Sequence, residues 1–166
     1  MKRLILSLFL IAPLMGLAQE SQIDSLTNKI TYTEVVKTPG TKVQLFDKAM
    51  EWLATSFKLV NDVVQIKDKE AGKIVASLLV YSCEEGRVYA NIIILIKDDK
   101  FKYTITDLVF NGKGNFRSWQ FEADPAKANI TKRGVRNIKD NAFLRVQNLI
   151  QSLKSKMSSP NSVSEF

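Results

Sequence analysis

Hydrophobic residues alternate with polar ones, or form short apolar blocks, over five segments that turn-forming residues separate. Because strand side chains point alternately to opposite faces of a sheet, these segments predict β-strands. The turns between the last four are too short for a parallel crossover, so these strands are predicted to be antiparallel neighbours. The five predicted strands are Lys29–Lys37, Asp62–Ile66, Gly72–Cys83, Val88–Ile96 and Phe101–Phe110.

Two other segments have the apolar spacing of amphipathic helices. Thr41 and Gln44 predict a capping box, which starts a helix that runs to about Phe57. A second helix is predicted from about Ile138 to Met157. The order β-α-β-β-β-β-α, with helices segregated from a run of antiparallel strands, predicts an α+β fold of two layers. About five strands form one layer, and the helices pack on it.

The predicted strand Val88–Ile96 is apolar on both of its faces. Its side chains at 92, 94 and 96 point one way, and Ile93 and Leu95 point the other way. A sheet that helices cover on one side should instead alternate apolar with polar residues. We therefore expect the second face to be covered by the C-terminal helix, by another subunit or by an apolar ligand.

The N terminus has the three parts of a secretory signal peptide. Lys2 and Arg3 are followed by an apolar run to Leu14, and small residues at 16 and 18 predict cleavage before Gln19. The only cysteine is Cys83, so the cleaved chain has no cysteine in the position that anchors a lipoprotein. We expect residues 1–18 to be removed and a soluble protein, without a transmembrane segment, to reach the periplasm or the extracellular space.

The remaining composition places the basic charge late in the chain. Residues 19–110 hold 12 basic and 13 acidic side chains, whereas residues 111–156 hold 10 basic and 3 acidic ones. A single cysteine allows no internal disulfide, and we interpret Cys83 as a buried, inert thiol, with an intermolecular bridge as the alternative. The chain has no histidine. Ser-His-Asp and Cys-His catalysis and histidine-ligated metals are therefore excluded.

Three segments resemble an uncharacterised family of exported Bacteroidetes domains with a TATA-binding-protein-like fold. They are residues 32–57 (YTEVVKTPGTKVQLFDKAMEWLATSF), 68–76 (DKEAGKIVA) and 98–108 (DDKFKYTITDL). The resemblance implies a curved sheet and a location in the cell envelope, and it implies no activity. The resemblance covers roughly residues 30–112 and leaves the C-terminal helix outside. With the segments read from the residues themselves, the predicted organisation is a signal peptide 1–18, a linker 19–29, the TATA-binding-protein-like domain 30–112, a C-terminal extension 113–157 with a basic amphipathic helix, and a disordered tail 158–166.

No motif in the chain predicts catalysis. Gly112-Lys113-Gly114 lacks the third glycine and the following helix of a nucleotide loop. Adjacent carboxylates lie in predicted turns, where they are solvated rather than facing each other. Asp107 is unusual within a strand, and a β-bulge or an edge position explains it more simply than catalysis does. We predict that the protein is not an enzyme and has no catalytic residue, cofactor or metal ligand.

Two clusters are candidates for binding. Lys132, Arg133 and Arg136 precede the second predicted helix, where free N–H groups and three cations could bind an anion. The alternative for this cluster is a solvated basic face. Aromatic side chains could likewise form a surface for a sugar or lipid, although they could instead close the core. They are Phe116, Trp119 and Phe121.

These observations favour an exported, non-enzymatic binding or interaction module that uses the second sheet face or the basic C-terminal region. The expected partner is another envelope protein, an anionic envelope surface or an apolar ligand, and not a nucleic acid. The alternative is a carrier of an apolar small molecule or lipid, held in a cleft between helix and sheet.

Overall fold

A computed structural model describes residues 22–24, 27–57 and 63–160. The predicted signal peptide lies outside these residues, as does the tail beyond residue 160. The fold is the predicted α+β fold, with seven strands and two α-helices among the described residues. The strands are β1 (Gln22–Asp24), β2 (Lys29–Lys37), β3 (Val64–Asp68), β4 (Lys73–Ser82), β5 (Gly86–Lys97), β6 (Lys100–Gly112) and β7 (Trp119–Gln120). The helices are α1 (Lys42–Ser56) and α2 (Lys132–Ser158), and a short 3-10 helix spans Pro125–Lys127.

The sheet is antiparallel, and its strand order is β1-β2-β6-β5-β4-β3, with β7 paired to β6. The four strands β3 to β6 are consecutive neighbours, which confirms the predicted meander. Strand β2 pairs with β6, so α1 carries the chain from one side of the sheet to β3 at the other edge. Two short strands lie outside the five predicted ones. Strand β1 lies within the predicted linker, and β7 lies in the C-terminal extension.

One face of the sheet forms the hydrophobic core with both helices. The helices contact each other, and the Nε1 of Trp52 in α1 donates a hydrogen bond to the Oγ of Ser152 in α2 at 2.7 Å. Alternate residues of β4, β5 and β6 are buried on this face, including Ile74, Ile92 and Tyr103. The sheet contributes these residues, and the helices contribute their apolar faces.

Helix α2 begins six residues earlier than the apolar spacing predicted. Thr131 is its N-cap, and the Thr131 Oγ1 accepts a hydrogen bond from the backbone N–H of Gly134 at 3.1 Å. The first turn is polar and contains a glycine, so it carries little hydrophobic periodicity. The predicted basic cluster therefore lies within the first turns of α2 and not before the helix.

The segment after β6 packs its aromatic side chains into the same core. Trp119 stacks between Phe110 and Phe121 at centroid distances of 5.5 and 4.9 Å, and Phe121 meets Phe143 of α2 edge-on at 5.7 Å. These contacts connect β6, β7 and α2. The predicted boundary after residue 112 therefore separates parts of one continuous core.

Candidate functional site

The second face of the sheet, called the open face below, is the most unusual surface of the described structure. Both helices pack on the opposite face, so the C-terminal helix, one of the three covers that the sequence left open, does not cover this one. The helix cannot cover it, because the buried face of the sheet already takes the apolar side of α2. Large apolar side chains on the open face are exposed to solvent: Val35 by 58%, Ile66 by 43%, Leu79 by 42% and Leu95 by 43%.

The centre of the open face combines threonines with aliphatic side chains. Thr33 and Thr104 are register partners whose hydroxyls lie 3.1 Å apart, and Ile93 is the next partner across β5. A second pair of hydroxyls, those of Thr31 and Thr106, lies 3.3 Å apart. Such cross-strand pairs stabilise a solvated sheet surface. Ile93 is therefore half-buried by its neighbours in the sheet, without any helix above it.

Asp107 lies on this face at a β-bulge, which is one of the two explanations that the sequence left open. Its φ of 56° is in the left-handed region, which aspartate tolerates better than most residues, and the β5–β6 register shifts at this point. The carboxylate accepts a hydrogen bond from the Lys29 ammonium and one from the Asn91 amide, the latter at 3.3 Å.

The hydrogen bond and the charge of Asp107 raise the pKa of Lys29 above its ordinary value. The Lys29–Asp107 pair therefore contributes its full stabilisation of the fold at neutral pH, and this stabilisation is lost only as the pH rises through the raised pKa of Lys29. At neutral pH the Asp107 carboxylate is accordingly engaged by Lys29 and Asn91, as a structural residue would be.

The open face is strongly basic. The register places seven basic side chains on it, at positions 29, 37, 73, 87, 97, 100 and 102. The register places three acidic residues on it, Asp24, Asp68 and Asp107. This surface was missed by counting charge along the chain, because residues 19–110 are nearly neutral in total. Basic residues at alternate positions of the predicted strands, which place them on one face, are the sequence signal that could have revealed this surface.

The predicted anion-binding cluster lies elsewhere. Lys132, Arg133 and Arg136 are exposed on α2 and line a shallow cleft of about 470 Å³ with Asn137 and Asp140. The Asp140 carboxylate offsets part of their charge. The structure brings the three cations together but does not join them to the open face, and their role as an anion site stays a prediction.

The three predicted aromatic residues do not form an exposed platform. Trp119 is 7% exposed and Phe121 is 2% exposed, and Phe116 is half-buried. The Lys139 ammonium lies 5.4 Å from the centroid of the Trp119 ring and donates a hydrogen bond to the Phe121 carbonyl. Trp119 and Phe121 close the core, which was the alternative for this cluster.

Cys83 follows β4 and is half-buried. Burial raises the pKa of its thiol, and a hydrogen bond with Glu85 raises it further. We expect iodoacetamide to alkylate Cys83 several-fold more slowly in the native protein than in urea at the same pH, because only the thiolate reacts. Equal rates in the two states would show that the thiol is not protected by the fold.

A groove lies where the end of α1 meets β4 and α2. It has a volume of about 480 Å³ and is lined by Phe57, Leu79, Tyr81 and Leu149, with Arg145 at its rim among other polar residues. This groove is the feature nearest to the predicted cleft between helix and sheet. It lies beside the core rather than within it.

The fold and the open face define a class of protein: a TATA-binding-protein-like α+β domain with helices on one side of its sheet. Residues 32–111 match the model of a family described as a domain of unknown function (DUF4468) with TBP-like fold, so this segment of the chain is similar to that family. The predicted family resemblance is thereby confirmed. A search of curated proteins gives no match.

Two solved structures have the same fold. A TBP-like protein from Parabacteroides distasonis has 16% identity and a TM-score of 0.60, and the match covers 80% of this chain and 95% of that one. A DUF4468 family protein from Bacteroides ovatus has 14% identity and a TM-score of 0.58, with 81% and 89% covered. At these identities the likeness concerns the fold alone. Within the described ranges, no helix has the length and apolarity needed to cross a bilayer.

Proposed function

We propose that the protein is an exported, non-enzymatic binding module whose binding surface is the open face of its sheet. One observation carries this proposal: the large aliphatic side chains of Val35, Ile66 and Leu95 are 43–58% exposed on a face that no described element covers. Apolar side chains grouped on one surface are typical of interaction sites. The predicted signal peptide supports an envelope partner over an intracellular one.

The rigidity of the face supports the same conclusion. Its strands are held by continuous antiparallel pairing and by a fully buried core on the other side. A binding surface on such a scaffold needs little ordering when a partner arrives, so less conformational entropy opposes association. The open face can therefore act as a preformed docking surface.

Site-specific photo-crosslinking in intact cells of the native host tests this proposal. A photoreactive amino acid is placed at Val35 or Leu95 on the open face, or at Val43 of α1 or Leu144 of α2. Val43 and Leu144 are matched controls, because they are exposed apolar residues (49% and 55%) on the helices. We expect the two open-face positions to give the same crosslinked product and the two helix positions to give none of it. Crosslinks from the helices alone would contradict the proposal.

A carrier of an apolar small molecule is a second candidate, which the groove beside Phe57 and Leu149 favours. The interface between helices and sheet, however, is filled by fully buried side chains such as Leu53 and Leu78. We therefore expect native mass spectrometry of the protein from its own envelope to give the mass of the polypeptide alone. A retained lipid that Leu149→Arg removes would favour the carrier instead.

A further inference from the structure

Four lysines occupy one corner of the open face. Lys37 on β2, Lys100 on β6 and Lys97 on β5 are direct register partners, so one row across three strands is entirely basic. Lys102 lies on the same face of β6, one pleat further on. All four side chains are exposed, and none of them forms an ion pair with a described residue. We call these four residues the lysine corner.

This arrangement opposes the stability of the fold. Directly paired residues on neighbouring strands have Cβ atoms about 5 Å apart, and like charges at that separation repel. Lysines often protect the edge strands of sheets from aggregation. That explanation fits Lys37, because β1 pairs only with residues 29–31 of β2, but it does not fit the other three lysines, because β5 and β6 each have a paired strand on both sides. The corner therefore requires another reason for its charge.

The carboxylates adjacent to these lysines in sequence accept hydrogen bonds from the backbone and form no ion pair with the lysine corner. Asp98 and Asp99 lie between Lys97 and Lys100 in the hairpin turn. The Asp98 carboxylate accepts a hydrogen bond from the backbone N–H of Lys42 at 2.6 Å, and the Asp99 carboxylate accepts one from Gly40 at 3.1 Å. Both acidic groups thus hold the start of α1, and neither pairs with a lysine of the corner.

Exposed aliphatic side chains stand between the lysines. Lys102 has Val35 as its register partner on one side and Leu95 on the other. Val35 is 58% exposed and Leu95 is 43% exposed. A hydrophilic polyanion would bind lysines without requiring aliphatic neighbours. An anionic bilayer matches both features, because the aliphatic groups enter the interface while lysine stems lie along it and their ammonium groups reach lipid phosphates.

We propose that the lysine corner, with Val35 and Leu95, docks the protein on the surface of an anionic lipid bilayer. The inference rests on the proposed function and names its partner. The corner presents cations and aliphatic groups together to the bilayer, and the phosphate headgroups supply anionic partners for lysines that form no ion pair with a described residue. Binding of this kind is reversible and weakens as salt screens the lysines.

Vesicle flotation tests the proposal with the full protein purified after export. The probes are vesicles of phosphatidylcholine mixed with phosphatidylglycerol, and vesicles of phosphatidylcholine alone. We expect binding to the anionic vesicles at an ionic strength of about 0.1 M and little binding at about 1 M, where the Debye length falls to about 3 Å. Equal binding to both kinds of vesicle, or to neither, would overturn the proposal.

Two variants with four substitutions each, which remove the same charge, distinguish binding by the lysine corner from binding by basic charge elsewhere on the protein. The first replaces Lys37, Lys97, Lys100 and Lys102 by glutamine. The second, a control, replaces Lys132, Arg133, Arg136 and Arg145 by glutamine on exposed positions of α2. We expect the first to lower partitioning about 100-fold or more and the second by less than about fivefold. Similar losses from both variants would overturn the assignment to the corner.

Circular dichroism checks that each variant is folded, and removal of the like-charge row is expected to raise the melting temperature of the first. If the four-fold variant does not fold, Lys97→Gln with Lys100→Gln is measured in its place, and unchanged partitioning of that variant overturns the assignment.

Val35→Ser with Leu95→Ser is expected to lower partitioning about tenfold. Unchanged binding by the serine variant, or equally strong binding to soluble dextran sulfate, would indicate a polyanion site instead of a bilayer surface. Protein crosslinks from the open face together with no vesicle binding would reject the bilayer and leave the binding module in place.

Discussion

Replacing Leu153 by alanine is expected to lower the free energy of unfolding by about 2–5 kcal/mol. Leu153 lies on the inner face of α2 and is fully buried in the core. Its removal takes apolar surface from the core and leaves a cavity that neighbouring side chains fill only in part. Urea denaturation followed by circular dichroism measures the change.

Leu144→Ala is the matched control on the same helix. Leu144 is 55% exposed, so the same truncation should change the free energy of unfolding by no more than about 0.5 kcal/mol. Helix propensity is common to the two substitutions and cancels in the comparison. Equal effects would contradict the assignment of α2 to the core and restore the extension 113–157 as a separate part of the chain.

Gly72→Ala is expected to destabilise the protein by about 2–5 kcal/mol through two separate costs. Gly72 has a φ of 64°, in the left-handed region that residues with a Cβ disfavour. A Cβ there would also lie 2.3 Å from the carbonyl oxygen of Ile96, which is backbone and cannot rotate away. The Ile96 N–H donates a hydrogen bond to the Gly72 carbonyl at 2.7 Å, so a shift of either residue disturbs this contact as well.

Gly114→Ala isolates the first of these costs. Gly114 has nearly the same φ, 62°, but a Cβ at this position would meet nothing within 4 Å. We expect this variant to lose only about 1–2 kcal/mol, the cost of the left-handed conformation alone. The difference between the two urea midpoints then measures the close approach at Gly72. A larger loss of stability from Gly114→Ala than from Gly72→Ala would refute the described packing of Gly72 against Ile96.

The basic open face shows that charge counted along the chain differs from charge counted on one face of the sheet. Along the chain, Lys97, Lys100 and Lys102 are interspersed with Asp98 and Asp99, and the segment is nearly neutral. In the sheet, the lysines share one face, while the two carboxylates bond to the backbone at the start of α1. Net charge by segment therefore pointed to the C-terminal helix, although the sheet carries a second group of cations.

Local sequence determined most of the secondary structure and its pairing. Period-two alternation predicted β2, β4, β5 and β6, because each strand has a buried face and its neighbours are joined by short turns. The Thr41 and Gln44 capping box fixed the start of α1, since both of its hydrogen bonds lie within one turn of the chain. A charged residue inside an apolar strand indicated a bulge or an edge position at Asp107, and the structure has the bulge.

Only the tertiary structure decided which face of the sheet the helices take. The apolar sequence of β5 does not show whether its second face is covered. Thr104 and Val75 of the neighbouring strands half-bury Ile93 without any covering element. Long-range pairing likewise determined that Lys37 joins Lys97 and Lys100, which lie some sixty residues later in the chain. The open face and its lysine corner arise from such non-local contacts, whereas the strands and helices that build them follow from local hydrophobic spacing.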